Sequence, residues 1–137
     1  MDLLKLREQL KHHEGVRLKP YRDTVGKLTI GIGRNIDDVG ISMDEAEIML
    51  DHDIQRVVQD LDHYLPWWKS LNDVRQRVIA DMAFNLGISK LLGFTQTLAA
   101  IKQGDFEAAA EHMGKSLWAT QVGKRAVTLQ QMMRTGT

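Results

Sequence analysis

The chain reads as an α+β fold, mainly α, with a small β-hairpin lobe joined by one long helix to a helical lobe and a cleft between the two. Three observations predict this. Apolar residues recur at helical spacing through most of the 137 residues, whereas Leu28 to Gly33 alternates with a period of two. The longest helical stripe stands between that alternating stretch and the remaining helices.

Taken in order, Leu3, Leu4, Leu6 and Leu10 lie largely on one helical face, and the pattern stops at Gly15, a residue suited to the position just past a helix. The first helix should therefore end at Glu14. Pro20 and Gly26 punctuate the next segment, Arg22-Asp23-Thr24 has turn chemistry, and the alternating Leu28–Gly33 run completes an antiparallel hairpin. Ser42 with Glu45 three residues on is a capping box, and Ala46, Met49, Leu50, Ile54, Val57, Val58 and Leu61 continue one stripe beyond it. Beyond Pro66, helices are expected at about 72–86, 95–103 and 106–113, closed by Gly87, Gly104 and Gly114, and at about 123–134. No repeat or Pro/Ser-rich linker divides the chain, so it is expected to be one domain over 1–137. Its approximate lobes are 14–61, which includes the connecting helix, and 1–13 plus 62–137.

Composition excludes several classes of function. Eighteen basic residues balance eighteen acidic ones, so there is no global field to attract nucleic acid or an anionic membrane. Without cysteine there is neither a disulfide framework nor a thiolate metal site. His12-His13-Glu14 and Asp51-His52-Asp53 are contiguous clusters, but consecutive helical residues point about 100° apart, whereas zinc sites on one helix use i and i+4. No metal is expected. Asp2, Lys5, Arg7 and Glu8 break up the N-terminal leucines, so no apolar core of a secretory signal is expected there.

The chemistry-bearing pattern is Glu14 at a helix end, Asp23 in the hairpin turn and Thr29 in the returning strand, E-x8-D-x5-T. Two carboxylates and a hydroxyl come to one edge of the hairpin. Cleavage of a glycosidic bond needs an acid for the leaving oxygen and a second carboxylate to assist water or stabilise charge on the sugar. A Glu before a helix-ending Gly and an Asp in a turn are also everyday features, so the spacing alone does not make the trio catalytic.

The whole segment HHEGVRLKPYRDTVGKLTIGIGRN resembles the T-even-phage-type lysozymes, or phage endolysins, glycoside hydrolase family 24, with their EG-x-R-L-x-x-Y-x-D-T-x-G-x-x-T-I-G-I-G pattern. DEAE at 44–47, AFNLG at 83–87, GFT at 93–95, Lys115-Ser116 with Trp118, KRA at 124–126 and RTGT at the C-terminus follow in family order. The resemblance implies a lysozyme-like fold and a muramidase that hydrolyses the β-1,4 bond between N-acetylmuramic acid and N-acetylglucosamine with inversion. It implies Glu14 as general acid, Asp23 as second carboxylate and Thr29 as the hydroxyl that places water, the carboxyls standing ~6.5–9.5 Å apart. Asn85 would present an amide to a sugar acetamido group, Phe84 the lip of the cleft and Tyr21 support for the site. Arg125 matches an arginine that pairs with the catalytic glutamate, a surface ion pair being its other reading, and Trp118 reads as packing. No cofactor is implied. The partner is the peptidoglycan strand, the protein a monomer without stable membrane association. It would be held in the host cytoplasm until a holin admits it to the wall.

Three features depart from the family pattern. Arg34 stands where T-even members have histidine, with Asp53 in the place of that histidine's partner; a buried Arg34–Asp53 pair is expected, little sensitive to pH near neutrality. The connection from Asn35 to Ile41 is much shorter, and the neutral charge removes steering toward an anionic wall. Other readings are a glycan-binding or scaffolding relative without turnover, favoured by these departures, and a helical interaction module, which would want a basic patch.

Overall fold

A computed structural model describes all residues 1–137. The order is α1 (Leu3–Glu14), β1 (Arg17–Arg22), β2 (Leu28–Gly31), β3 (Arg34–Asn35), α2 (Met43–Tyr64), a 3-10 turn (Pro66–Ser70), α3 (Asp73–Leu86), α4 (Ile88–Leu92), α5 (Thr95–Gln103), α6 (Phe106–Gly114), α7 (Leu117–Val122) and α8 (Lys124–Thr135). The fold is α+β and mainly α. It forms two compact units, Met1–Ile48 and Met49–Thr137, divided within α2. Residues 1–13, grouped with the helical lobe on sequence grounds, cluster with the sheet.

In the first unit, α1 is started by Asp2, whose carboxylate accepts the Lys5 amide at 3.1 Å, and is ended by Gly15 at φ 75°. The helix forms where its leucine spacing places it, yet it buries none of its residues. The expected hairpin gains a third strand: the order is β1-β2-β3, all antiparallel. Thr29 sits at its centre, opposite Tyr21 on one side and Asn35 on the other. At 3% exposure it is the one buried residue before Leu61.

The short connection after β3 fastens itself. Asn35 donates to Asp38 at 2.8 Å and accepts the Asp38 amide at 3.0 Å, while Asp37 accepts the Leu28 amide at 2.7 Å. The capping box then opens α2: the Ser42 hydroxyl accepts the Glu45 amide at 3.1 Å, and the Glu45 carboxylate accepts the Ser42 amide at 2.9 Å.

The second unit holds the core. Leu61, Val78, Ile79, Met82, Leu91, Ile101, Met113 and Met133 are fully buried, each contributing roughly 1.5–3 kcal/mol of apolar burial. α6 packs against both α5 and α8, and α3 against α8. Arg75 closes the C-terminal end: its Nε and Nη2 donate to the carbonyls of Met133 and Arg134 at 2.8 and 3.1 Å, and its guanidinium lies 3.5 Å from the Phe106 ring centre. It thereby satisfies carbonyls that the last turn of α8 leaves open.

Candidate active site

Glu14 is the last residue of α1. Its exposed side chain lies over Gly33, in the turn between β2 and β3. A Cβ on Gly33 would stand 2.5 Å from Glu14 Oε2 and 2.8 Å from its Cδ, and Gly33 has φ 69°. The positive φ favours glycine here, and a methyl group at this position would displace the Glu14 carboxylate, the end of an exposed side chain. Sequence reasoning treated Gly33 as hairpin geometry alone; the second glycine of Gly31-Ile32-Gly33 was its only visible signal.

Asp23 is held by the turn it builds. Its Oδ1 accepts the amides of Val25 at 3.0 Å and Lys27 at 2.8 Å, and its own backbone joins Lys27 O and Gly26 N at 2.9 and 3.0 Å. One carboxylate oxygen is thus consumed in an Asx-type turn, leaving Oδ2 to do chemistry. Thr29 is fixed by burial and by donating its hydroxyl proton to Lys27 O at 2.9 Å. With that proton committed, its oxygen can only accept. Lys27 ties the pair together, its amide bonding Asp23 and its carbonyl bonding Thr29. Tyr21, cross-strand from Thr29, carries the Arg17 guanidinium on its ring at 4.0 Å, so one aromatic face is already taken.

Arg34 does not pair with Asp53. Its Nη1 and Nη2 reach Glu45 Oε1 and Oε2 at 2.6 and 2.5 Å, while Asp53 pairs with Arg56 on the same helix. The reason is reach: Glu45 is in the first turn of α2, and eight residues further along a helix is about 12 Å away. Neither partner is buried, side-chain exposures being 38% and 39%. The bidentate arginine, followed by the Ser42 bonds, draws the Glu45 carboxyl from 4.5 down to about 2 and raises Arg34 above its ordinary value.

The other candidates lie in the second unit. Asn85 gives its carbonyl oxygen to the Trp118 indole N–H at 2.8 Å, leaving only its NH2 to donate outward. Trp118 is 3% exposed and meets Phe94 edge-on, so it is packing, as read from sequence. Phe84 is 45% exposed and lines an apolar cavity of about 400 Å³ with Leu50, Ile54 and Arg125. The carboxylate partner of Arg125 is Asp81, at 2.8 Å to Nε and 2.6 Å to Nη2. Asp81 was missed from sequence, although it stands one helical turn before Asn85 on α3.

A carboxyl at a helix end, a turn-held carboxylate and an accept-only hydroxyl are groups of the kind that hydrolysis uses. The comparisons with known proteins agree in kind: a family model described as phage lysozyme matches residues 11–134. The chain belongs to the phage lysozyme family. It is 32% identical to an endolysin of Acyrthosiphon pisum secondary endosymbiont phage 1, over 85% of this chain and 80% of that protein. It is 26% identical to a probable T4-type lysozyme of Dictyostelium discoideum, over 96% of this chain and 95% of that one. A third relative is the pre-baseplate central spike protein of Enterobacteria phage T4, 30% identical over 97% of this chain, which spans 28% of the spike protein's length. No helix of the lysozyme-family chain is long and apolar enough to cross a membrane.

Proposed function

We propose that this protein is a muramidase that cleaves the β-1,4 bond between N-acetylmuramic acid and N-acetylglucosamine in peptidoglycan, with inversion. The observation that supports the reading is the Asp23–Lys27–Thr29 turn, in which Lys27 engages both side chains and leaves one Asp23 oxygen and an accept-only Thr29 hydroxyl to take further bonds. A water with one proton toward Asp23 Oδ2 and the other toward Thr29 Oγ1 presents its lone pair to the anomeric carbon. Glu14 delivers a proton to the departing glycosidic oxygen as the C1–O bond breaks; the attacking water's proton passes to Asp23. Asn85, through its remaining N–H donors, Phe84 and Arg125 are assigned to the glycan strand and Tyr21 to support of the hairpin. No cofactor enters the reaction. In this reading the protein works as an endolysin, a monomer that meets the wall once a holin has opened the membrane.

The bond is identified by reducing the digestion products of purified peptidoglycan with borohydride. Muramicitol ends are expected. Glucosaminitol ends would make the protein a glucosaminidase, and the absence of either would leave a glycan binder.

A further inference from the structure

The peptide unit that joins Lys27 to Leu28 serves both groups assigned above to the attacking water. Its carbonyl oxygen, Lys27 O, accepts the Asp23 amide and the Thr29 hydroxyl, each at 2.9 Å. Its N–H, that of Leu28, lies on the other side of the same plane. The pairing of β2 with β3 ends at Thr29 and Asn35. Beyond it, Leu28 O accepts the Ile36 amide at 2.9 Å, and the Leu28 N–H is taken by the Asp37 carboxylate at 2.7 Å. A side chain thus completes the ladder where the strand has run out. The same Asp37 oxygen stands 3.9 Å from Arg22 Nη1. Arg22, opposite Leu28 in register, donates to Gly26 O at 3.1 Å, within the turn that carries Asp23. Asp37 and Arg22 are both exposed, and an ion pair that open contributes little. The weight falls on the bond to the Leu28 amide, a hydrogen bond to a charged acceptor.

We propose that Asp37 is a positioning residue for the hydrolysis, an inference that rests on the muramidase reading: its carboxylate fixes the tilt of the Lys27–Leu28 peptide and so sets where Lys27 O holds Asp23 and the Thr29 hydroxyl. A peptide unit is rigid and flat, so anchoring its N–H fixes its C=O. The negative charge beside the N–H also strengthens the carbonyl as an acceptor, because hydrogen bonds in series polarise one another. Released from Asp37, the unit is free to rotate, and the Thr29 lone pairs move with it. Asp37 touches no substrate in this account. It stands two residues past the end of β3, in the short Asn35–Ile41 connection, which folds it straight back onto β2.

The test compares wild type, Asp37→Ala and Asp37→Asn in turnover of purified peptidoglycan and in amide hydrogen exchange of the whole chain. In Asp37→Ala the Asp23 and Lys27 amides are expected to exchange about tenfold faster, the size of a lost charged hydrogen bond, while amides of Met49–Thr137 keep their rates. The kcat should fall by about the same factor, with KM and the melting temperature held. Asp37→Asn keeps an acceptor for the Leu28 N–H and should bring exchange and kcat back to within about threefold of wild type, since a neutral acceptor is roughly half as strong. Wild-type exchange at Asp23 and Lys27 in Asp37→Ala overturns the proposal, and so does faster exchange with an unchanged kcat. An Asp37→Asn protein as impaired as Asp37→Ala also overturns it, because charge and not the bond to Leu28 would then be the cause. A wild type without turnover removes the muramidase reading, and the exchange rates still decide whether Asp37 holds the turn. Asp37 is exposed, and Asp37→Asn, which preserves its shape, keeps the comparison decisive if Asp37→Ala unfolds.

Discussion

At the scale of single residues, the hairpin shows how little freedom its proposed functional groups retain. Thr29 spends its proton on Lys27 O, so Thr29→Val removes that donor and the acceptor assigned to water together. About 1 kcal/mol of stability should be lost with the unpaired carbonyl, and kcat should fall while KM holds; Thr29→Ser should restore both. An unchanged kcat in Thr29→Val would remove the residue from the reaction. Gly33→Ala sets a methyl group where the Glu14 carboxylate lies and forces a positive φ at a cost of about 1–2 kcal/mol. Thermal melting and sugar release should both report it, with activity falling further than stability accounts for. A variant that melts early yet keeps full specific activity would show that the Glu14 position is unimportant. Glu14, Asp23 and Thr29 were legible in the sequence as a pattern, whereas the Gly33 contact was not. It depends on a side chain turning back over a backbone nineteen residues away, which spacing does not encode.

At the scale of elements, helix ends were the most readable feature. The spacing predicts helices closed by Gly15, Gly87, Gly104 and Gly114; the first three stand at positive φ past the last helical residue, whereas Gly114 is itself the last residue of α6. Short elements escaped: β3 has two residues, α4 five and α7 six, too few for a period to declare itself. The Arg34 partner was misplaced for a related reason. Helical register identified Asp53, but the loop fastened by Asn35 and Asp38 delivers Arg34 to the first turn of α2 instead. This junction has a pH signature. Glu45 titrates at about 2 in the folded chain against an ordinary 4.5, so its stabilisation is complete above about pH 5 and is lost as pH falls toward 2. Melting curves of wild type and Glu45→Gln should differ by a constant amount above pH 5 and converge below it. A gap that stays constant down to pH 2 would show that the Arg34–Glu45 pair carries no such weight.

At the scale of the whole molecule, the chain divides its labour unevenly. All of its buried apolar residues lie between Leu61 and Met133, while the proposed acid, base and water-placing hydroxyl lie in Met1–Ile48, a unit held by turns, strand pairing and ion pairs. Hydrophobic patterning could announce the core-bearing unit because burial and period coincide there. The proposed catalytic unit was legible chiefly through its resemblance to phage lysozymes, since one buried residue makes no pattern. The account's central claim is that the chain hydrolyses peptidoglycan with Glu14 as the proton donor. Release of reducing ends from purified peptidoglycan by wild type and by Glu14→Gln, both shown to be folded, tests it most directly. The account predicts turnover by the wild type and a loss of about 10²–10⁴-fold in the variant. A folded wild type without turnover, or a Glu14→Gln protein as active as the wild type, would contradict it.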